Sequence, residues 1–317
     1  MKAVRIAKRK YCSSETKVIL EQFKDLKRLN LVHDSPSSVA PDQQCSPDSF
    51  ALLLECVYAS TSPCASPCKD AIRKLSRFTM QEFRKALTQM PSNRCSDCLG
   101  VTIEMVKHGH HRLHQVLLTL LNSCIEHGCI DDHWKCIVFS MIPKQGHLSL
   151  PSNWRPIAIL PIFYKLFSRM LYNRLLPQLD SHQHFDQCGF RPGVRIEDAL
   201  LVAETLISKT LEYHLPLWMV SLDLKKAFDR VHHNALFDAL RGQDVDDPTI
   251  ALLLEIYSGQ RGCVHGSREF DIARGVRQGD VISSLLFNAV IELVFKRWKL
   301  RISHHGWLLT PDSERYG

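Results

Sequence analysis

No apolar run in the 317-residue chain reaches the roughly 20 residues that a helix needs to cross a bilayer, so a membrane protein of that kind is not expected. The chain opens on a basic cluster, Lys2, Arg5, Lys8, Arg9 and Lys10, but the apolar stretch that would turn it into a secretory signal is missing. There is no internal repeat, which sets aside solenoids and propellers. The 12 cysteines follow no secreted disulfide framework, and reduced thiols in the cytosol or nucleus are the simpler account. Only two Asp-Asp pairs occur, Asp131-Asp132 and Asp246-Asp247, and neither has an aromatic residue two places ahead of it.

What is present is a chain longer than a typical domain, able to bury a sizeable core, with a formal charge of +7. That sign favours a polyanionic partner without proving one, because the basic residues are spread along the chain apart from the first cluster, itself readable as a nucleic-acid arm, a nuclear address or a solvated terminus. From Leu215 to Leu222 the residues are large and apolar, as in a strand buried on both faces. Asp223 ends the run. Phe228, Val231, Leu236, Ala239 and Leu240 follow at helical spacing, and Gly242 is a natural stop. Asp223 is therefore expected at a strand-to-helix turn, where a rigid backbone can hold a metal-binding oxygen.

A second informative stretch, residues 275–288, runs a tight polar turn, Gly275-Val276-Arg277-Gln278-Gly279-Asp280, into a long apolar helix. Asp280 and Ser283 have the chemistry to start that helix. Ahead of it, residues 261–272 carry a Gly266-Ser267 turn between two short strand-like runs, consistent with a hairpin. Ile137 to Ile142 reads as a strand. From Leu113 the positions Val116, Leu117, Leu120, Leu121 and Cys124 make a helical stripe closed by Gly128. Asp246-Asp247 reads as a helix start, with Pro248 in the first turn and Ile250, Leu253, Leu254 and Tyr257 continuing the face. Residues 33–67 are rich in Ser, Pro, Asp and Cys around one apolar segment, 50–58, and read as a linker with a short helix.

Taken together, these segments resemble reverse transcriptases. Asp223 with Phe228-Asp229 looks like the family's motif A, and Gly-x-x-Gln-Gly-x-x-x-Ser-x-x-Leu-Phe looks like its motif B, in the right order. Upstream, Lys144, then Asn153-Trp154-Arg155-Pro156-Ile157, then Lys165 resemble the fingers signature, and Gln187-Cys188-Gly189-Phe190-Arg191-Pro192-Gly193 resembles the Gly-Phe-Arg block of non-LTR (LINE-type) retrotransposon and group II intron enzymes. Phe78-Thr79 to Glu82-Phe83 and Asp97 to Gly100 are similar to the approach segment of LINE-type polymerases. The Trp-Arg-Pro-Ile block favours the LINE type over a group II intron maturase. Ser284 stands where the family usually has Pro, which loosens the start of the motif B helix.

The resemblance implies an α+β right-hand polymerase fold, fingers and partial palm, with an antiparallel palm sheet packed on helices. It divides the chain into an N-terminal extension and linker (1–75), an approach segment and fingers (76–214) and a partial palm (215–317). It also implies roles. Asp223 would be catalytic and would hold Mg²⁺ of a two-metal site together with the backbone carbonyl of Leu224. Arg155 would reach the triphosphate, Phe228 would exclude the ribose 2′-hydroxyl, and Gln278 and Gly279 would meet the nascent base pair. Lys144, Lys165 and Arg191 would steer phosphate backbones. Each has a plainer reading, as helix cap, core ring or surface charge, and Asp229 reads at least as well as a structural residue.

The partners implied are an RNA template, a DNA primer and dNTPs, in the cytoplasm and nucleus; the oligomeric state has no signature. The family's motif C, an aromatic residue, any residue and Asp-Asp, does not follow motif B. The expectation is a truncated domain, inactive and poorly soluble by itself, that copies RNA by target-primed synthesis when whole. The alternative from another class is a degenerate, non-catalytic fragment acting at most as a basic RNA-binding protein. A competing motif, Cys95, Cys98, His110 and His114, comes near a zinc-finger spacing, but it lacks the finger's aromatic core residue, and its histidines open the striped helix.

Overall fold

The computed structural model describes residues 45–61, 65–94, 96–144 and 147–302. Two compact units divide the chain, one containing residues 44–194 and 228–317, the other containing 195–227 with the first 43 residues. The basic N-terminal cluster and Cys95 lie outside the described residues.

In the larger unit the first helix, α1 (Pro47–Tyr58), starts at Ser46, whose side chain accepts the Ser49 N–H, with Pro47 at the first position. It buries Phe50, Leu54 and Tyr58 in the main core, each contributing about 1.5–3 kcal/mol. The short helix expected at the apolar segment 50–58 is therefore present, but it packs into the core and is not part of a linker. Helices α2 (Lys69–Ile72), α3 (Met80–Gln89), α4 (Ile103–Lys107) and α5 (His111–His127) follow. Thr79 and Glu82 form a reciprocal capping box at the start of α3. In α5, Leu117, Leu121 and Cys124 are buried, whereas Val116 and Leu120, expected in the same stripe, are exposed. His110 is the N-cap of α5, and the His114 ring lies 2.8 Å from the Val106 carbonyl.

Four strands form one mixed sheet in the order β2-β1-β3-β4: β1 (Cys136–Pro143), β2 (Trp154–Ile159), β3 (Gln260–Val264) and β4 (Phe270–Ile272). β1 runs antiparallel to β2, with Phe139 opposite Ala158, and parallel to β3, with Val138 opposite Cys263. The α+β class holds, but the sheet is not wholly antiparallel. Gly262 on β3 leaves room for a stack of rings, because a Cβ there would come within 2.8–2.9 Å of Phe139 and Phe270. Tyr58 from α1 joins them at centroid distances of 5.6 and 6.4 Å.

Helix α6 (Ile162–Ser181) and three helices that follow residue 227 build the rest of the core. Between the units in sequence, α7 (Ile196–Glu212) belongs to 195–227 and is followed by residues with no regular structure. The later helices are α8 (His233–Arg241), α9 (Asp247–Tyr257) and α10 (Val281–Ile302). Every residue of α9 from Thr249 to Tyr257 is buried, as in a helix surrounded by others.

Two sequence expectations fail here. Residues 215–222 form no strand, and Leu215, Trp218, Met219, Val220 and Leu222 are exposed. Among the described residues no strand pairs with this segment, and without a partner its backbone is better solvated than extended alone. The helix expected straight after Asp223 begins only at His233. The carbonyls of Phe228 and Val231 accept the N–H groups of Val276 at 2.9 Å and Gly275 at 2.7 Å, so this backbone pairs across the fold and makes only the single 3₁₀ turn Phe228–Arg230.

Candidate active site

The turn from Gly275 to Asp280 is fixed from several sides. Gly275 has φ +92°, and a Cβ there would lie 2.8 Å from the Asp229 carbonyl, so the close approach needs glycine. At the other end Ala158 on β2 donates its N–H to the Gln278 carbonyl at 2.8 Å. Gly279, with φ +109°, would place a Cβ 3.0 Å from the Ala158 carbonyl. The Gln-Gly turn therefore closes the outer edge of β2, the strand that carries Arg155. The Gln278 side chain donates to Asp229 Oδ1 at 2.8 Å, and Tyr58 Oη donates to the same oxygen at 2.9 Å. Burial, and next the Asp229 charge, push the Tyr58 hydroxyl well above its ordinary pKa, so it stays a donor.

Behind this turn lies a buried polar cluster. Arg277 donates through Nε to Gln260 at 3.1 Å and through Nη2 to the Ile256 carbonyl at 3.0 Å, with its guanidinium 4.6 Å from the Tyr164 ring. Asp280, expected to cap α10, instead accepts from Tyr164 Oη at 2.6 Å and from Ser168 Oγ. Burial outweighs the neighbouring Arg277 and holds the Tyr164 hydroxyl well above its usual range, which keeps it donating.

The half-buried Phe228 ring stacks on Phe287 at 4.7 Å and meets Phe190 edge-on at 5.8 Å. Phe190 sits in a clamped loop: Asn288 Nδ2 donates to the Gly189 carbonyl at 2.8 Å, and Arg191 Nε donates to Asp180 at 2.8 Å. Arg191 thus ties its loop to the end of α6, whereas the resemblance would have it steer phosphate. Arg155 is exposed on β2, and Lys144 and Lys165 are partly exposed. The structure brings Arg155, Phe228, Gln278 and Gly279 onto one framework of β2, the Phe228–Arg230 turn and the 275–280 turn. Asp223 and Leu224 belong to the other unit and are exposed.

Among the described residues no three His, Cys, Asp or Glu side chains converge so as to hold a metal ion. The Asp223 carboxylate and the Leu224 carbonyl are hard oxygen donors that suit Mg²⁺, but they fall short of a two-metal site. Asp229, the next acidic residue along, is buried and accepts from Tyr58 and Gln278.

Residues 142–309 match the family described as "Reverse transcriptase (RNA-dependent DNA polymerase)". The chain belongs to the reverse transcriptase family. It is 31% identical over 219 residues to the Transposon TX1 uncharacterized 149 kDa protein of Xenopus laevis, covering 68% of this chain and 17% of that protein. It is 34% identical over 210 residues to the Retrovirus-related Pol polyprotein from type-1 retrotransposable element R2 of Popillia japonica, covering 64% and 28%. A third relative, the type-2 element R2DM polyprotein of Drosophila melanogaster, is 23% identical over 279 residues, covering 84% and 25%. The chain spans between 17% and 28% of the length of these relatives. As the sequence resemblance implied, this is a reverse transcriptase domain of the non-LTR retrotransposon kind, a family of nucleotidyltransferases that use divalent metal ions.

Sequence reasoning missed several residues that hold this reverse transcriptase framework. Tyr58 ends the apolar segment read only as a short helix within a linker. Arg277 sits inside motif B yet faces inward. Asp97 is buried and accepts the Ile162 N–H at 2.9 Å, fixing the start of α6. Asn288 and Glu292 were open to detection, since polar residues four apart on the inner face of an apolar helix need partners; Glu292 accepts the His184 N–H at 3.2 Å.

Proposed function

We propose that this domain presents the template and nucleotide contacts of an RNA-directed DNA polymerase encoded by a non-LTR retrotransposon. The observation that carries the proposal is the docking of the Gln278-Gly279 turn on the edge of β2, which sets a polar amide and an open glycine backbone on the strand that bears Arg155. Arg155 binds the triphosphate as a permanently charged fork, Phe228 lies under the sugar, and the Gln278-Gly279 turn meets the nascent base pair. Lys144 and Lys165 attract the phosphate backbone. When bound, Mg²⁺ would neutralise triphosphate charge, with the Asp223 carboxylate and Leu224 carbonyl as two of its ligands. The substrates are an RNA template, a DNA primer and dNTPs, handled in the cytoplasm and nucleus, with target-primed synthesis belonging to the whole protein.

That no three metal-ligating side chains converge among the described residues favours a second reading for the isolated 317-residue chain: a nucleic-acid-binding domain that incorporates no nucleotide. Both readings are tested by titrating the chain with labelled RNA–DNA template-primer and with dATP, and by assaying primer extension with Mg²⁺. Arg155→Ala should weaken dATP binding about tenfold, the loss of roughly one charge-assisted contact. Equal dATP affinity in Arg155→Ala and the parent would overturn the nucleotide assignment. Primer extension by the chain that Asp223→Ala abolishes would overturn the inactive reading.

A further inference from the structure

We propose that Phe190 is a specificity-determining residue, which acts by fixing the Phe228 ring that separates deoxyribose from ribose substrates. The inference rests on the nucleotide-site reading of Phe228 given above. Phe190 has φ +59°, a left-handed conformation that the Cβ of a bulky residue disfavours. Folding gains little from its ring in return, since the residue remains 60% exposed. A strained, exposed aromatic calls for another reason to be there.

The loop is built to hold that conformation. On one side the Gly189 carbonyl accepts from Asn288 Nδ2 at 2.8 Å and from Gln187 Nε2 at 3.3 Å. On the other, Arg191 donates to Asp180 Oδ1 and to the His184 carbonyl, both at 2.8 Å. Restraints thus bracket the strained residue, and its ring is delivered edge-on to Phe228 at 5.8 Å and 78°. Phe287 covers Phe228 at 4.7 Å and 13°, while the Phe228 carbonyl accepts the Val276 N–H at 2.9 Å. A ring that must refuse a single extra hydroxyl cannot shift by more than a fraction of an ångström. With Phe287 stacked and Phe190 at its edge, Phe228 has little freedom to do so.

The test is equilibrium binding of dATP and ATP, with Mg²⁺, to the full 317-residue chain and to Phe190→Gly, Phe190→Leu and Phe228→Ala, alongside the thermal unfolding midpoint of each. The parent should prefer dATP. Phe190→Gly should hold dATP affinity within about twofold and cut the preference about tenfold, with an unfolding midpoint no lower than the parent's, because glycine occupies φ > 0 without strain. Phe190→Leu keeps the bulk but not the aromatic edge, and should lose the preference too. If both Phe190 variants discriminate like the parent while Phe228→Ala does not, the role of Phe190 falls and the reading of Phe228 stands. If the parent binds both nucleotides alike, or Phe228→Ala keeps the preference, the underlying reading falls and takes this proposal with it. A lowered midpoint in Phe190→Gly would make the residue structural and overturn the proposal as well.

Discussion

The Gln278 side-chain amide and the Tyr58 hydroxyl converge on one oxygen of Asp229, at 2.8 and 2.9 Å. A carboxylate only accepts, so the bonded end of the amide is its nitrogen, and the side-chain oxygen Gln278 Oε1 is left as the acceptor for a ligand. Tyr58→Phe should cost about 1.5–3 kcal/mol, the usual worth of a bond to a charged group, and Asp229→Ala about 2–5 kcal/mol, because it strands two donors. Urea unfolding measures both. A Tyr58→Phe chain as stable as the parent would show that the helix α1 contact is incidental.

Gly275→Ala should damage the same turn from the backbone side. The left-handed conformation alone costs about 1–2 kcal/mol, and the Asp229 carbonyl 2.8 Å from the new Cβ adds an overpacking cost of about 1–3 kcal/mol. Gly266→Ala is the control, since it shares a positive φ, +82°, but meets nothing within 4 Å. Thermal unfolding should place Gly275→Ala well below Gly266→Ala; matching midpoints would mean that the turn yields freely.

His233 gives the fold an acid sensitivity. It is buried, with Nε2 3.0 Å from the Gly275 carbonyl and its ring 5.2 Å from Tyr257. Burial, then the nearby charges of Arg277 and His232, lower its pKa from 6.5 against the pull of the Gly275 carbonyl. Above about 6.5 the ring is neutral folded and unfolded, and nothing is lost. Below that, the unfolded chain takes up a proton that the folded one refuses, so stability falls as pH falls toward the folded value. Unfolding free energies at pH 7.5 and 5.5 should therefore differ less in His233→Asn than in the parent, and an unchanged difference would clear His233 of the effect.

Local chemistry made part of this domain legible. The Gly275–Asp280 turn, the hairpin around Gly266-Ser267, the Pro248 start of α9 and the Gly128 end of α5 each depend on residues a few positions apart, and the chain writes such signals locally. One partner of Asp229, Tyr58, is 171 residues away, and no spacing rule links the two. Asp280 could have capped its helix by chemistry, but a buried Tyr164 and Ser168 offered donors that a cap would have left unpaired. Residues 215–222 expose the opposite limit. Their composition says what the segment could become, while a strand exists only beside another.

That segment also yields the last expectation. Val220 and Leu222 are 53% and 59% exposed, and Trp218, Met219 and Leu224 are exposed beside them, a run of apolar side chains that water does not favour. An exposed stretch of this composition without regular structure invites pairing between copies. The isolated chain should bind a hydrophobic dye and self-associate as concentration rises. Replacing Val220 and Leu222 together with Lys should reduce both, because charge in the stretch opposes strand pairing between copies, while Asp223→Ala, at an exposed position, should leave the unfolding midpoint unchanged. Light scattering after size-exclusion chromatography gives the answer. If the double-Lys chain associates as the parent does, another surface drives association, and residues 215–224 are not what the fold leaves unsatisfied.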